Sequence, residues 1–98
     1  MEELYMKIIL DPSRDGCTIW FVERNSVKYI QGDVMDICKR IHKFSTHTEE
    51  GRFGIKKVVQ HTDIVLDANG IGAFYKDCLE VEHRLKVTPI KIERELKI

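Results

Sequence analysis

The chain has 98 residues, with 16 Lys and Arg against 16 Asp and Glu. That length supports a single domain over residues 1–98, because a second would be too small to hold its own core. A hydrophobic share of 43% excludes a disordered tail, and zero net charge excludes histone-like binding of nucleic acid through bulk charge, though not a local basic patch.

No apolar run approaches the roughly 20 residues that span a bilayer, so no membrane contact is expected. The start, Met1-Glu2-Glu3, is acidic, unlike the basic opening of a signal peptide. Cys17, Cys38 and Cys78 are an odd, widely spaced set without a CxxC pair. A disulfide framework is therefore not expected. Buried core thiols in a reducing, cytoplasmic setting fit the pattern.

Tyr5 to Asp11 reads as a short strand ending on a carboxylate. Pro12 to Gly16 is turn chemistry. Cys17 to Glu23 is rich in β-branched and aromatic residues, and Val27 to Gln31 is a third strand after the Arg24-Asn25-Ser26 turn. Two successive hairpins predict an antiparallel meander. Trp20 and Phe21 are neighbours and must face opposite sides. Asp33 is a good N-cap for a helix whose stripe is Val34, Ile37, Cys38, Ile41 and Phe44.

Residues 45–54 are polar and punctuated by Gly51 and Gly54, which predicts a loop. Residues 55–60 fit a helical turn or a short strand. Asp63 to Asp67 reads as a buried central strand that ends on a second carboxylate. A second helix follows the Asn69-Gly70-Ile71-Gly72 turn, with Ile71, Phe74, Tyr75, Cys78 and Leu79 as its stripe. Leu85 to Ile92 alternates like a strand, and Pro89 places it at an edge or a bulge. The order is β-β-β-α-β-α-β. It predicts an α/β (α+β) fold, a five-stranded mixed sheet with two helices, in which the later strands run parallel to their neighbours.

This order sets Asp11 and Asp67 at the ends of adjacent strands, about 5 Å apart. Two carboxylates so placed repel unless a cation lies between them, and Mg²⁺ or Mn²⁺ suits all-oxygen ligands. Both can equally be strand-ending residues that cap the turns after them. Asn69, Gly70 and Gly72 form a turn where backbone N–H groups could meet a phosphate, or where the glycines serve only conformation and packing. Arg52, Lys56 and Lys57, with His61 nearby, are the densest basic patch, suited to phosphates or simply solvated. Cys38 and His42 have the i, i+4 spacing of a zinc pair, but no second pair accompanies them.

Two segments resemble a known superfamily. Ile9-Leu10-Asp11-Pro12-Ser13, then Asp15-Gly16 and an aromatic strand, resembles the opening of ribonuclease H-like nucleases, including Holliday-junction resolvases. Ile64 to Gly72, followed by Phe74, Asp77 and Leu79, is similar to the corresponding segment in nuclease domains of phage terminase large subunits. The predicted element order resembles the core of that superfamily over most of residues 6–92. The resemblance implies that Asp11 and Asp67 are the first and second catalytic, metal-binding acids, with Mg²⁺ or Mn²⁺ as cofactor. It also implies a further acid from a later element, for which Glu93 and Glu95 are the only late residues and neither matches. The function implied is that of a small phage- or plasmid-type protein acting on or binding nucleic acid, either a metal-dependent nuclease or its inactive remnant. The other reading is a non-catalytic binding module: a protein inhibitor of a host defence system, or a binder of a nucleotide-like ligand. In both, homo-oligomerisation or a protein partner is expected to cover exposed sheet edges.

Overall fold

Strand-forming alternation builds a sheet around the segment that carries Asp11. A computed structural model describes residues 6–91, so the N-terminal acids and the tail with Ile92, Glu93 and Glu95 lie outside the described residues. The elements are β1 (Met6–Ser13), β2 (Gly16–Phe21), β3 (Ser26–Gln31), α1 (Val34–Ser45), β4 (Thr46–Glu50), β5 (Lys56–Gln60), β6 (Thr62–Asp67), α2 (Gly72–Asp77) and β7 (Val87–Ile90). A 3₁₀ turn, Arg52–Gly54, links β4 to β5, and a π-helical turn, Cys78–Glu82, continues α2.

The five-stranded sheet has the order β3-β2-β1-β6-β7. β1 and β3 each run antiparallel to β2, whereas β6 is parallel to both β1 and β7. The fold is thus α+β with a mixed sheet and two helices, as the sequence predicts. Pro89 lies on the edge strand β7, where its missing N–H removes no ladder bond from a central pair.

Period-two alternation gives the sheet two unlike faces. Ile8, Leu10, Cys17, Ile19, Ile64 and Leu66 point to one side and are buried against Ile37, Cys38 and Ile41 of α1 and Tyr75 and Leu79 near α2. The Asp33 carboxylate accepts the Asp36 N–H at 2.9 Å, so it caps α1 as expected. The Tyr75 hydroxyl donates to the Gly16 carbonyl at 3.4 Å and ties α2 to the start of β2. Phe21 joins this core and meets Phe44 at 6.0 Å between ring centroids, while Trp20 faces outward. All three cysteines are buried and free.

Four expectations need correction. Residues 45–54 are not one loop: Ser45 ends α1, Thr46 to Glu50 pairs with Lys56 to Gln60 as a separate two-stranded hairpin, and only Gly51 to Gly54 form the connecting turn. Its β4 strand is polar and its residues are half-buried or exposed, so no apolar alternation announces it. Backbone pairing holds its register instead, with Glu50 opposite Lys56 and Glu49 opposite Lys57. Of residues 55–60, Lys56 to Gln60 are therefore strand, and Ile55 closes the turn before it. β1 runs through Pro12 to Ser13, because the β6 pairing has ended by then and Pro12 meets β2 alone. β7 begins at Val87 rather than Leu85, because the Leu85 N–H is taken by Leu79 O and the Lys86 backbone by the Gln60 side chain. Phe74 does not join the core, because it lies at the margin of the α2 stripe and a helix of this length covers a narrow arc. Among the described residues, no helix is long and apolar enough to cross a membrane.

Candidate functional site

The acidic rim is a product of strand register. Leu10 pairs with Leu66 across the parallel β1–β6 ladder, and Asp11 and Asp67 are the next residue on each strand. Both share the parity of Ile9 and Val65, so both belong to the face opposite the helices. Across the rim Asp11 stands opposite Thr18 of β2, and Asp67 opposite Ile90 of β7. Asp67 is only 6% exposed. Its Oδ1 accepts the Asn69 N–H at 3.1 Å, which fixes the orientation of the carboxylate.

The turn after β6 explains its glycines. Gly70 has φ +54°, a left-handed conformation that glycine adopts without steric cost. A Cβ on Gly72 would lie 1.8 Å from the Asp67 carbonyl oxygen, so α2 can start this close to the strand end only without a side chain. The Gly72 N–H donates to Asn69 O at 2.9 Å and the Ala73 N–H to Gly70 O at 3.2 Å. These donors therefore serve the turn itself.

The residues expected to meet phosphate fall into two groups. Asn69, Gly70 and Gly72 adjoin the rim. Arg52, Lys56 and Lys57 sit on the β4–β5 hairpin, which enters the sheet at Thr62, the end of β6 remote from Asp67. Arg52 lies in the exposed tip, and Lys56 and Lys57 face glutamates across the ladder. Lys57 also lines a cleft between β5 and β7 together with Arg84 and Lys86. Sequence reasoning missed the latter two. Their one local signal, two cations flanking Leu85, says nothing of proximity to Lys57.

Burial, and secondarily the nearby Asp11 carboxylate, pushes the Cys17 thiol up to about 12, so it stays protonated beneath the rim. Burial and then Cys78 raise the Cys38 thiol likewise. His42 stacks on His83 at 5.0 Å between centroids, and His47 on His61 at 5.3 Å. Among the described residues, no group of three or more His, Cys, Asp or Glu is placed to hold a metal ion. Among the described residues the rim's donor set is two carboxylates. That set suits Mg²⁺, which binds through one or two carboxylates and completes its shell with water and substrate phosphate. Comparison with protein-family models, with curated proteins and with solved structures finds no match to this chain.

Proposed function

We propose that the chain is a ribonuclease H-like protein that binds nucleic acid through Mg²⁺ or Mn²⁺ held between Asp11 and Asp67. The observation that carries this reading is the register: the two acids follow the paired Leu10 and Leu66 and share one face. The strand order and the mix of parallel and antiparallel pairs agree with the topology that the resemblance implies. A cytoplasmic setting is supported by three buried thiols with no disulfide. Asp11 and Asp67 would ligate the cation, and Asn69 would keep the Asp67 carboxylate oriented toward it. Gly72 lets α2 pack against the Asp67 backbone and so sets the height of the rim. When bound, the cation supplies Lewis acidity toward a phosphate oxygen. A two-carboxylate site completes its shell with phosphate, so metal-dependent binding comes first and cleavage requires a further acid.

The test is fluorescence anisotropy with labelled DNA and RNA oligonucleotides in Mg²⁺, Mn²⁺ and EDTA. Affinity is expected to fall about tenfold, or about 1.4 kcal/mol, in EDTA and equally in Asp67→Asn and Asp11→Asn. Equal affinity in all conditions refutes the reading. Incubation with supercoiled and branched DNA plus Mn²⁺ separates a nuclease from a binder, because Asp67→Asn must abolish any true cleavage.

A second reading, the non-catalytic module, is favoured by the open sheet face. Trp20 pairs with both Val27 and Ile9, and Ile9 with Val65, which makes an apolar row across four strands. Trp20 is 46% and Val27 63% exposed. A second copy packed on this row would appear as a dimer in sedimentation velocity, and Trp20→Glu would return it to a monomer.

A further inference from the structure

We propose that the cleft between β5 and β7 binds the phosphate backbone of a nucleic-acid strand, without a metal, through Lys57, Arg84 and Lys86. This deepens the function proposed above and rests on it for the identity of the polyanion. The cleft has a volume of about 580 Å³, within the range of natural ligand sites. Among the described residues its one acid, Asp63, already faces the Lys7 ammonium at 3.9 Å. Among the described residues none of the three cations has a carboxylate within ion-pair distance. In a chain whose charges sum to zero, this leaves the cavity locally positive.

The cleft is also built, not merely open. Arg84 holds φ +54°, a region that a long side chain rarely occupies. It is fixed there from both sides, by His83 N–H on Cys78 O at 3.3 Å and Leu85 N–H on Leu79 O at 3.0 Å. The Gln60 side chain spans the wall, donating to Lys86 O at 2.9 Å and accepting from Lys86 N at 2.8 Å. Arg84 and Lys86 thus project from an immobilised backbone, which limits the entropy lost on binding.

Position argues for a strand and not a small anion. Asp63 and Asp67 lie on the same face of β6, four residues apart, or about 13 Å along the sheet. That is about four nucleotides of a stacked strand at 3.4 Å each. A strand with one phosphate at the acidic rim therefore reaches the cleft about four nucleotides away.

The experiment measures anisotropy of labelled single strands of two, four, six and eight nucleotides with the full chain, in Mg²⁺ and in EDTA. The variants are Arg84→Gly, which removes the guanidinium and relieves the backbone, and Lys86→Gln, at an exposed position. Each is expected to weaken octamer binding about three- to tenfold in both buffers and to lower the slope of log affinity against log salt by about 0.7. Affinity should rise sharply between two and six nucleotides. Wild-type octamer affinity and salt slope in both variants overturn the proposal. So does a mononucleotide or inorganic phosphate that binds as well as the octamer, or an acidic peptide that competes equally. Loss of binding in EDTA and Asp67→Asn, with no effect of the cleft variants, leaves the rim reading standing and removes this one. The reverse pattern keeps the cleft and removes the rim.

Discussion

The Gln60 side chain exchanges hydrogen bonds with the Lys86 backbone in both directions, at 2.9 and 2.8 Å, as a neighbouring strand would. The same Nε2 also donates to Thr62 O at 2.8 Å. One amide thereby joins the end of the hairpin to the edge of the main sheet. Gln60→Ala should cost about 1 kcal/mol in urea unfolding and speed hydrogen exchange at the Lys86 amide. Gln60→Glu loses the donor and sets a carboxylate oxygen against the Thr62 and Lys86 carbonyls, so it should be at least as destabilised as Gln60→Ala. Unchanged exchange at Lys86 would show that the link is not maintained in solution.

The two glycines after β6 should respond differently to alanine. Gly72→Ala brings a Cβ to within 1.8 Å of Asp67 O and must push α2 from the strand end. We expect a loss of about 1–3 kcal/mol and weaker divalent-dependent binding, because the displaced backbone carries Asp67. Gly70→Ala meets no atom within 4 Å and costs only its left-handed φ, about 1 kcal/mol. Thermal melts of both variants, beside Mg²⁺-dependent binding, separate the effects.

Helix α1 depends on its first turn. Asp33→Ala removes the acceptor for Asp36 N and should destabilise the fold by about 1 kcal/mol, while Asp33→Ser should retain most of the cap. Chemical denaturation of the two variants checks the difference.

The His42–His83 stack predicts a pH dependence. Burial, and then His42, lowers the His83 pKa from 6.5, with Lys39 acting in the same direction and Glu82 against it. The unfolded chain therefore binds the proton more readily than the folded one. The contribution to stability is complete above about pH 7.5 and declines as pH falls through 6.5 toward the folded value. His83→Gln should flatten that part of the stability profile. A wild-type profile that is level from pH 8 to 5.5 contradicts this account.

Thiol chemistry offers a check on the core. With Cys17 pushed up to about 12 and all three cysteines buried, a disulfide reagent at pH 8 should modify none of them at a rate faster than unfolding. Rapid labelling of a single cysteine would place it at the surface instead.

Much of this architecture is visible in local patterns. The Asp33 cap, the Ile37-Cys38-Ile41 stripe, the alternation through Ile64 and Leu66 and the edge position of Pro89 each follow from periodicity or from one residue's backbone chemistry. The element order also leads to an expectation that Asp11 and Asp67 end adjacent strands, and the β1–β6 pairing bears it out. The hairpin was not legible, since polar Thr46 to Glu50 carries no burial signal for a strand. Nor was the division of the phosphate-binding candidates between rim and hairpin.

Local pattern alone marks most of the core-facing residues and the start of α1, although it also puts the exposed Phe74 in the apolar stripe. Those properties depend on the few residues around each position. The assembled fold is what brings Lys57, Arg84 and Lys86 around one cleft, starts α2 against the Asp67 carbonyl at Gly72, and sets Trp20 beside Val27 on an open face. The reason is that such meetings are set by how distant segments abut. Many weak contacts govern that together, and no single stretch of chain encodes it.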